Sequence, residues 1–264
     1  MTKKIAFIGC SHLSCLDVPG QEYNNWTYLL HNKYPHHTYR NYSRGGQGIE
    51  GFQWALLDAK QWGADVVFLN RTYAGRWSML TEISNISKFK YIERTWSDKE
   101  DLTGDNWKEM GPEFENIWGT ANDDRIHHTS SVTDEVAISH SVKDLIMNKL
   151  SRNMDFWIGQ TAASDLRKSW EQEWYNNVET LYNFDNIFLI DWADTHEHVS
   201  STTWDTPVIE WFAERYNFPS TSDKNLNLHG LAVSLEDTHL SLKGNTELLN
   251  DYILANNKVV NSLK

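Results

Sequence analysis

Cysteine is scarce in this chain: Cys10 and Cys15 are the only two among 264 residues. Two thiols so close together supply neither a disulfide framework nor a four-cysteine metal site, and they suit a reducing or redox-indifferent compartment. Long apolar runs are missing as well. Nothing approaches the roughly 18–20 consecutive apolar residues of a membrane span. The opening MTKKIAFIGC sets two lysines before an apolar run of only Ile5 to Ile8, shorter than the ~7–15 residues of a signal-peptide core, so it reads as a first β-strand. Positive charge is in deficit: 24 Lys+Arg stand against 36 Asp+Glu, a net charge of −12. Phosphate backbones and anionic lipid surfaces both require clustered positive charge, so neither nucleic acid nor membrane is an expected partner. A cytoplasmic or virion-associated location is expected. No Pro/Gly/Ser-rich linker, internal repeat or low-complexity tract divides the sequence, which predicts one domain over residues 1–264.

Aromatic residues are abundant, with 13 Trp and an aromatic share of 13%. An apolar share of 40% and a charged share of 23% belong to an ordinary globular chain. The rings admit two readings: a large core with some half-exposed side chains, or ring faces that stack on sugar or aryl groups.

The N-terminal third predicts an α/β fold. KIAFIG is a continuous apolar run before a glycine, as in a strand buried on both faces. Tyr23, Trp26, Leu29 and Leu30 recur at helical spacing. Thr38 to Ser43 is rich in β formers, and Phe52, Ala55, Leu56 and Ala59 make a second helical stripe. Ala64 to Asn70 (ADVVFLN) is the clearest strand. Alternating strands and helices imply parallel strands joined by crossovers. The stretch 73–184 shows no strand alternation and predicts a large helical insertion. Within it TDEVAISHSVKDLIMNKL (with Thr133 as N-cap) and SDLRKSWEQEWYNNVETLYNF look helical. The frame resumes with the strand NIFLIDW, a loop-rich polar stretch from Ala193 to Leu235, and a last helix from Lys243 to Asn256.

Four pieces carry chemistry. Ser11 follows the first strand and Gly9, at the strand end where open α/β sheets hold ligands; a plain helix cap is the bland alternative. NYSRGGQG offers glycines whose backbone N–H groups can approach an oxyanion closely, and it lacks the endings of nucleotide-binding loops. Asn70 ends the third strand and could add a side-chain N–H. EDTHLSLKGN places carboxylates just ahead of His239, before the last helix, where they can orient an imidazole.

Together these blocks resemble the SGNH (GDSL-type) hydrolases, with GCSH standing at the nucleophile block, NYSRGGQG at the second, DVVFLN leading to the third and DTHLSLKGN at the last. The resemblance implies a three-layer, doubly wound, flavodoxin-like sandwich with a mostly parallel sheet. It implies Ser11 as nucleophile, His239 as general base, and an oxyanion hole from the N–H of Ser11, Gly46 (Gly45 as alternative) and Asn70 (Thr72 as alternative). The acid is Asp237, in the Asp-x-His spacing of related polysaccharide O-acetyltransferases, or Glu236. A Gly-x-Asn-Asp third block is absent. The implied activity is a serine esterase acting on small acyl, chiefly acetyl, esters, with a small molecule or glycan as substrate. An O-acyltransferase on the same site, or a degenerate carbohydrate-binding or virion-associated module, is the alternative. In the stretch that holds Asp191, Asp194, His196 and His198, the His-x-His spacing suggests a zinc pair, yet no third ligand is evident and nothing in the spacing of His36–His37 or His127–His128 demands that they join it; no metal or cofactor is expected. His12 is assigned no role.

Overall fold

A computed structural model describes residues 1–13, 24–43, 49–71, 76–80, 89–94, 107–110, 114–118, 127–129, 161–192, 203–219, 225–234 and 239–264. Strand β1 (Lys4–Ile8) lies at the centre of a parallel set with β2 (Thr38–Asn41), β3 (Val66–Asn70) and β9 (Ile187–Ile190), in the order β2-β1-β3-β9. This is the α/β architecture that the sequence predicts. On the β2 side, β5 (Phe89–Arg94) and β6 (Trp107–Met110) extend the sheet in antiparallel fashion. Strands β4 (Arg76–Leu80), β7 (Phe114–Trp118) and β8 (His127–Thr129) form a separate antiparallel sheet.

Successive residues of a strand face opposite sides, so a strand with helices on both faces must be apolar throughout. Ile5 and Phe7 of β1 join one core cluster with Val66, Phe68 and Phe188. Helix α1 (Trp26–Lys33), helix α4 (Val208–Tyr216) and the C-terminal helices cover that face. Ala6 and Ile8 join a second cluster with Val67 and Leu69, beneath α2 (Ile49–Trp62) and α3 (Thr161–Tyr182). The stripe of Phe52, Ala55, Leu56 and Ala59 is wholly buried there, as is Tyr175 of α3. The C-terminal segment comprises α5 (Asn225–Leu228), α6 (Leu242–Glu247) running on into a wider π turn (Leu248–Ile253), and α7 (Asn257–Ser262). Among the described residues tryptophan serves the core first: Trp26, Trp174 and Trp192 are buried, and Trp62, Trp204 and Trp211 pack against the clusters. Trp54 and Trp170 are exposed.

Two expectations need correction. The described part of 76–129 consists of strands β4 to β8, so the wholly helical reading of 73–184 fails there; its helical end is α3. None of these strands exceeds six residues, too short for a period to register, and strand pairing supplies what local pattern does not. The Thr133 cap and the helix expected after it lie outside the described residues. The polar stretch after Ala193 contains α4, whose Val208, Ile209, Phe212 and Ala213 are buried. Pro207 immediately before it and that i, i+4 spacing were readable signals. Among the described residues, no helix is long and apolar enough to cross a membrane.

His37 closes the sheet's other end. Its Nδ1 accepts the Lys3 N–H (3.2 Å), and its Nε2 donates to the Leu263 carbonyl (2.8 Å). Burial pushes its pKa down, and the neighbouring charges of His36 and Lys3 add to that against the opposing Leu263 bond. The neutral ring is therefore the folded form. Its contribution is complete above the ordinary histidine value of about 6.5 and is lost as pH falls through that value toward the lowered one. Urea denaturation across pH should show the stability advantage of the wild type over His37→Gln constant above about pH 7.5 and shrinking below 6.5. A pH-independent difference would show that the ring does not titrate with folding.

Candidate active site

The C-terminal ends of the parallel strands carry the residues of interest. Directly after β1 the chain makes a tight turn closed by Leu13 N–H to the Cys10 carbonyl (3.0 Å). Ser11 and His12 are its central residues; Ser11 is half-buried and His12 buried. Gly9 is required before it, because a Cβ there would lie 2.8 Å from the Asn70 Cβ and 3.3 Å from Leu13. Side chains from two flanking elements hold the turn's carbonyls. Asn25 Nδ2 donates to the His12 carbonyl (3.1 Å), and Asn41 Nδ2 at the end of β2 donates to the Leu13 carbonyl (2.8 Å). Asn25 also caps α1 by accepting the Thr27 N–H (3.0 Å).

His239 approaches from the other end of the chain. Its carbonyl accepts the Val233 N–H (2.9 Å), and Leu240 forms an antiparallel bridge with Ala232. Gly244 lets α6 pass this segment: a Cβ there would fall 2.3 Å from the Leu231 carbonyl oxygen. Ser241 caps α6 through the Gly244 N–H and donates its hydroxyl to the Gly230 carbonyl. The tie to the Ser11 turn is Asn245, which is buried. Its Oδ1 accepts the Trp26 N–H (3.0 Å) at the start of α1, and its Nδ2 donates to the carbonyls of Leu240 (2.7 Å) and Ser241 (3.1 Å).

The result is a ring contact between the turn that follows β1 and the His239 segment. The His12 and His239 ring centroids are 5.2 Å apart, and His12 also stacks on Trp192, at 3.7 Å with 14° between planes. Ser11 thus sits one residue from the ring that meets His239. Asn70 is fully buried at the end of β3, with Nδ2 on Cys10 Sγ (3.6 Å) and no partner for Oδ1 among the described residues. Gly46, Gly45, Asp237, Glu236 and Thr72 lie outside the described residues, as do Asp194, His196, His198 and Cys15. Asp191 is engaged in an ion pair with Arg71 (3.0 Å), both partners standing one residue past the ends of β9 and β3. Among the described residues no group of three or more His, Cys, Asp or Glu is placed to hold a metal.

Sequence reading set His12 beside the pocket without a role, and missed Trp192, Asn25, Asn41 and Asn245 as parts of this arrangement. Asn25 had a signal, a cap residue just ahead of a helical stripe. Asn245 had none, because its role depends on a segment more than two hundred residues away. No protein-family model, curated protein or solved structure matches this chain.

Replacing Asn245 by Ala strands the buried Trp26 N–H and the Leu240 carbonyl, each worth on the order of 1–3 kcal/mol when unsatisfied, while the Ser241 carbonyl keeps the Asn245 backbone N–H (2.9 Å). With partial rescue by water, a loss of about 2–4 kcal/mol in unfolding free energy is expected from urea denaturation. A loss below about 1 kcal/mol would mean that the tie is dispensable.

Proposed function

We propose that this chain is a serine esterase of the SGNH type, cleaving small acyl esters, acetyl esters on carbohydrate foremost, through an acyl-serine intermediate. The observation that carries this reading is the 5.2 Å approach of the His239 ring to the residue next to Ser11. The strand order β2-β1-β3-β9 supports it, since a flavodoxin-like frame places its ligand beyond the carboxyl ends of such strands. The tight turn supports it too, because a nucleophile presented on a sharp strand-to-loop turn stands clear of its own backbone.

In this mechanism His239 takes the proton of Ser11 as its Oγ attacks the ester carbonyl, and Asp237, or Glu236, holds the imidazole. The N–H groups of Ser11 and Gly46, with Asn70, receive the oxyanion. Collapse of the tetrahedral intermediate breaks the bond to the alkoxide, which leaves with the proton from His239. Water then attacks the acyl-serine by the same route and releases the acid; an acceptor hydroxyl in place of water would make the protein an O-acyltransferase. One observation favours a degenerate binding module instead: the Asn70 Nδ2 already donates to Cys10 Sγ. Both readings place the substrate as a small molecule or glycan.

A fluorophosphonate probe and p-nitrophenyl acetate separate the readings. Wild type should be labelled and Ser11→Ala should not, with turnover in Ser11→Ala and His239→Ala reduced at least about 10³-fold. Equal, slow turnover in all three chains with no labelling would leave only the binding module.

A further inference from the structure

Among the groups around the Ser11 turn, His12 has no part in the mechanism above, yet its ring meets that of His239. It is 7% exposed, unusual for a polar side chain in a turn. Its contacts include Trp192 stacked at 3.7 Å, His239 tilted by 43° at 5.2 Å, and Asn25 on its backbone carbonyl. Trp192 is itself 3% exposed, at the end of β9 beside the Asp191–Arg71 ion pair that ties β9 to β3. His12 is thereby anchored to the sheet, and the His239 segment is joined to its surroundings by the Ala232–Leu240 bridge, by the Val233 N–H on the His239 carbonyl and by Asn245.

We propose that His12 is a positioning residue: stacked on Trp192, its ring forms a wall against which the His239 imidazole rests, fixing that imidazole beside the Ser11 turn. The proposal builds on the esterase reading and adds to it a second orienting contact for the base, supplied by ring packing where the acid supplies a hydrogen bond. A planar ring meets this need by shape, so an apolar ring of similar outline should substitute for it. An aliphatic stub should not, because a base displaced by about 1 Å costs on the order of 10²-fold in such chemistry.

The test uses the full chain with His12→Ala, His12→Phe and Trp192→Leu, each first checked for a cooperative thermal transition. Two readouts are taken: the rate of Ser11 labelling by fluorophosphonate with p-nitrophenyl acetate kinetics, and the ring resonances of His239 in histidine-labelled protein. The expected result is a kcat lowered roughly 10- to 100-fold in His12→Ala at unchanged KM, with labelling slowed in parallel. His12→Phe should stay within about threefold of wild type, and Trp192→Leu should behave as His12→Ala. The His239 resonances should move in His12→Ala and Trp192→Leu and hold nearest to the wild type in His12→Phe. Wild-type rates in His12→Ala, or a His12→Phe chain as slow as His12→Ala, would overturn the wall. A wild type that is never labelled defeats the esterase reading instead. The resonances then decide alone, and unchanged His239 signals in all three variants defeat the positioning role as well.

Discussion

One buried carboxamide determines whether the two ends of this chain meet. Asn245 accepts from the first turn of α1 and donates to the two carbonyls that follow His239. Only a side chain with donor and acceptor on one rigid plane can do both at once. Being buried, it strengthens these bonds and raises the cost of losing any of them. Its neighbours are arranged to permit it. Gly244 allows the helix backbone to run against Leu231, and Ser241 starts that helix at the right point. Asn25 repeats the device on the other side, capping α1 while holding the His12 carbonyl. The first turn of α1 is thus the shared abutment: one asparagine reaches from it to the Ser11 turn and another reaches to it from the His239 segment.

The sheet supplies the rigidity against which these ties act. β1 is paired on both sides and covered on both faces, so the turn that follows it inherits a fixed starting point. The strand ends are bound laterally as well. Arg71 meets Asp191 across β3 and β9, and the Arg71 N–H bonds the Ile190 carbonyl (2.8 Å). A buried ion pair adds little net stability, although breaking one by removing a partner typically costs about 3–5 kcal/mol. Its value here lies in register: it fixes the point at which β9 releases the chain into Trp192, and hence the surface on which His12 stacks.

The parallel frame was legible in the sequence because its strands are buried on both faces and read as unbroken apolar runs, KIAFI, VVFLN and IFLI. Helix α2 was legible because its stripe of Phe52, Ala55, Leu56 and Ala59 repeats over several turns. The short strands β4 to β8 were not, since their partners rather than their own periodicity define them, and β4 pairs with a strand more than thirty residues on. For the site, Ser11 and His239 could be singled out by residue type and neighbourhood. What fixes them could not: the asparagine ties are three-dimensional coincidences of ordinary polar residues, and a stack of His12 on Trp192 leaves no spacing for a motif to capture.

The Asn70–Cys10 contact weighs on the proposed chemistry from both sides. A thiol sulfur is a weak acceptor, and at 3.6 Å the bond from Asn70 Nδ2 is correspondingly weak. An oxyanion is a charged acceptor, and hydrogen bonds to ionised groups are roughly twice as strong as neutral ones. Competition for one amide N–H therefore favours an oxyanion whenever one forms within reach, and the thiol gives the Nδ2 of this fully buried amide a partner, while its Oδ1 has none among the described residues. Gly9 tightens the argument, because the space its missing Cβ leaves is occupied by the Asn70 side chain, which keeps that amide close against the residues leading into Ser11. On this account Cys10 and Asn70 form a ready donor held at low cost, and their contact is compatible with catalysis at the adjoining serine.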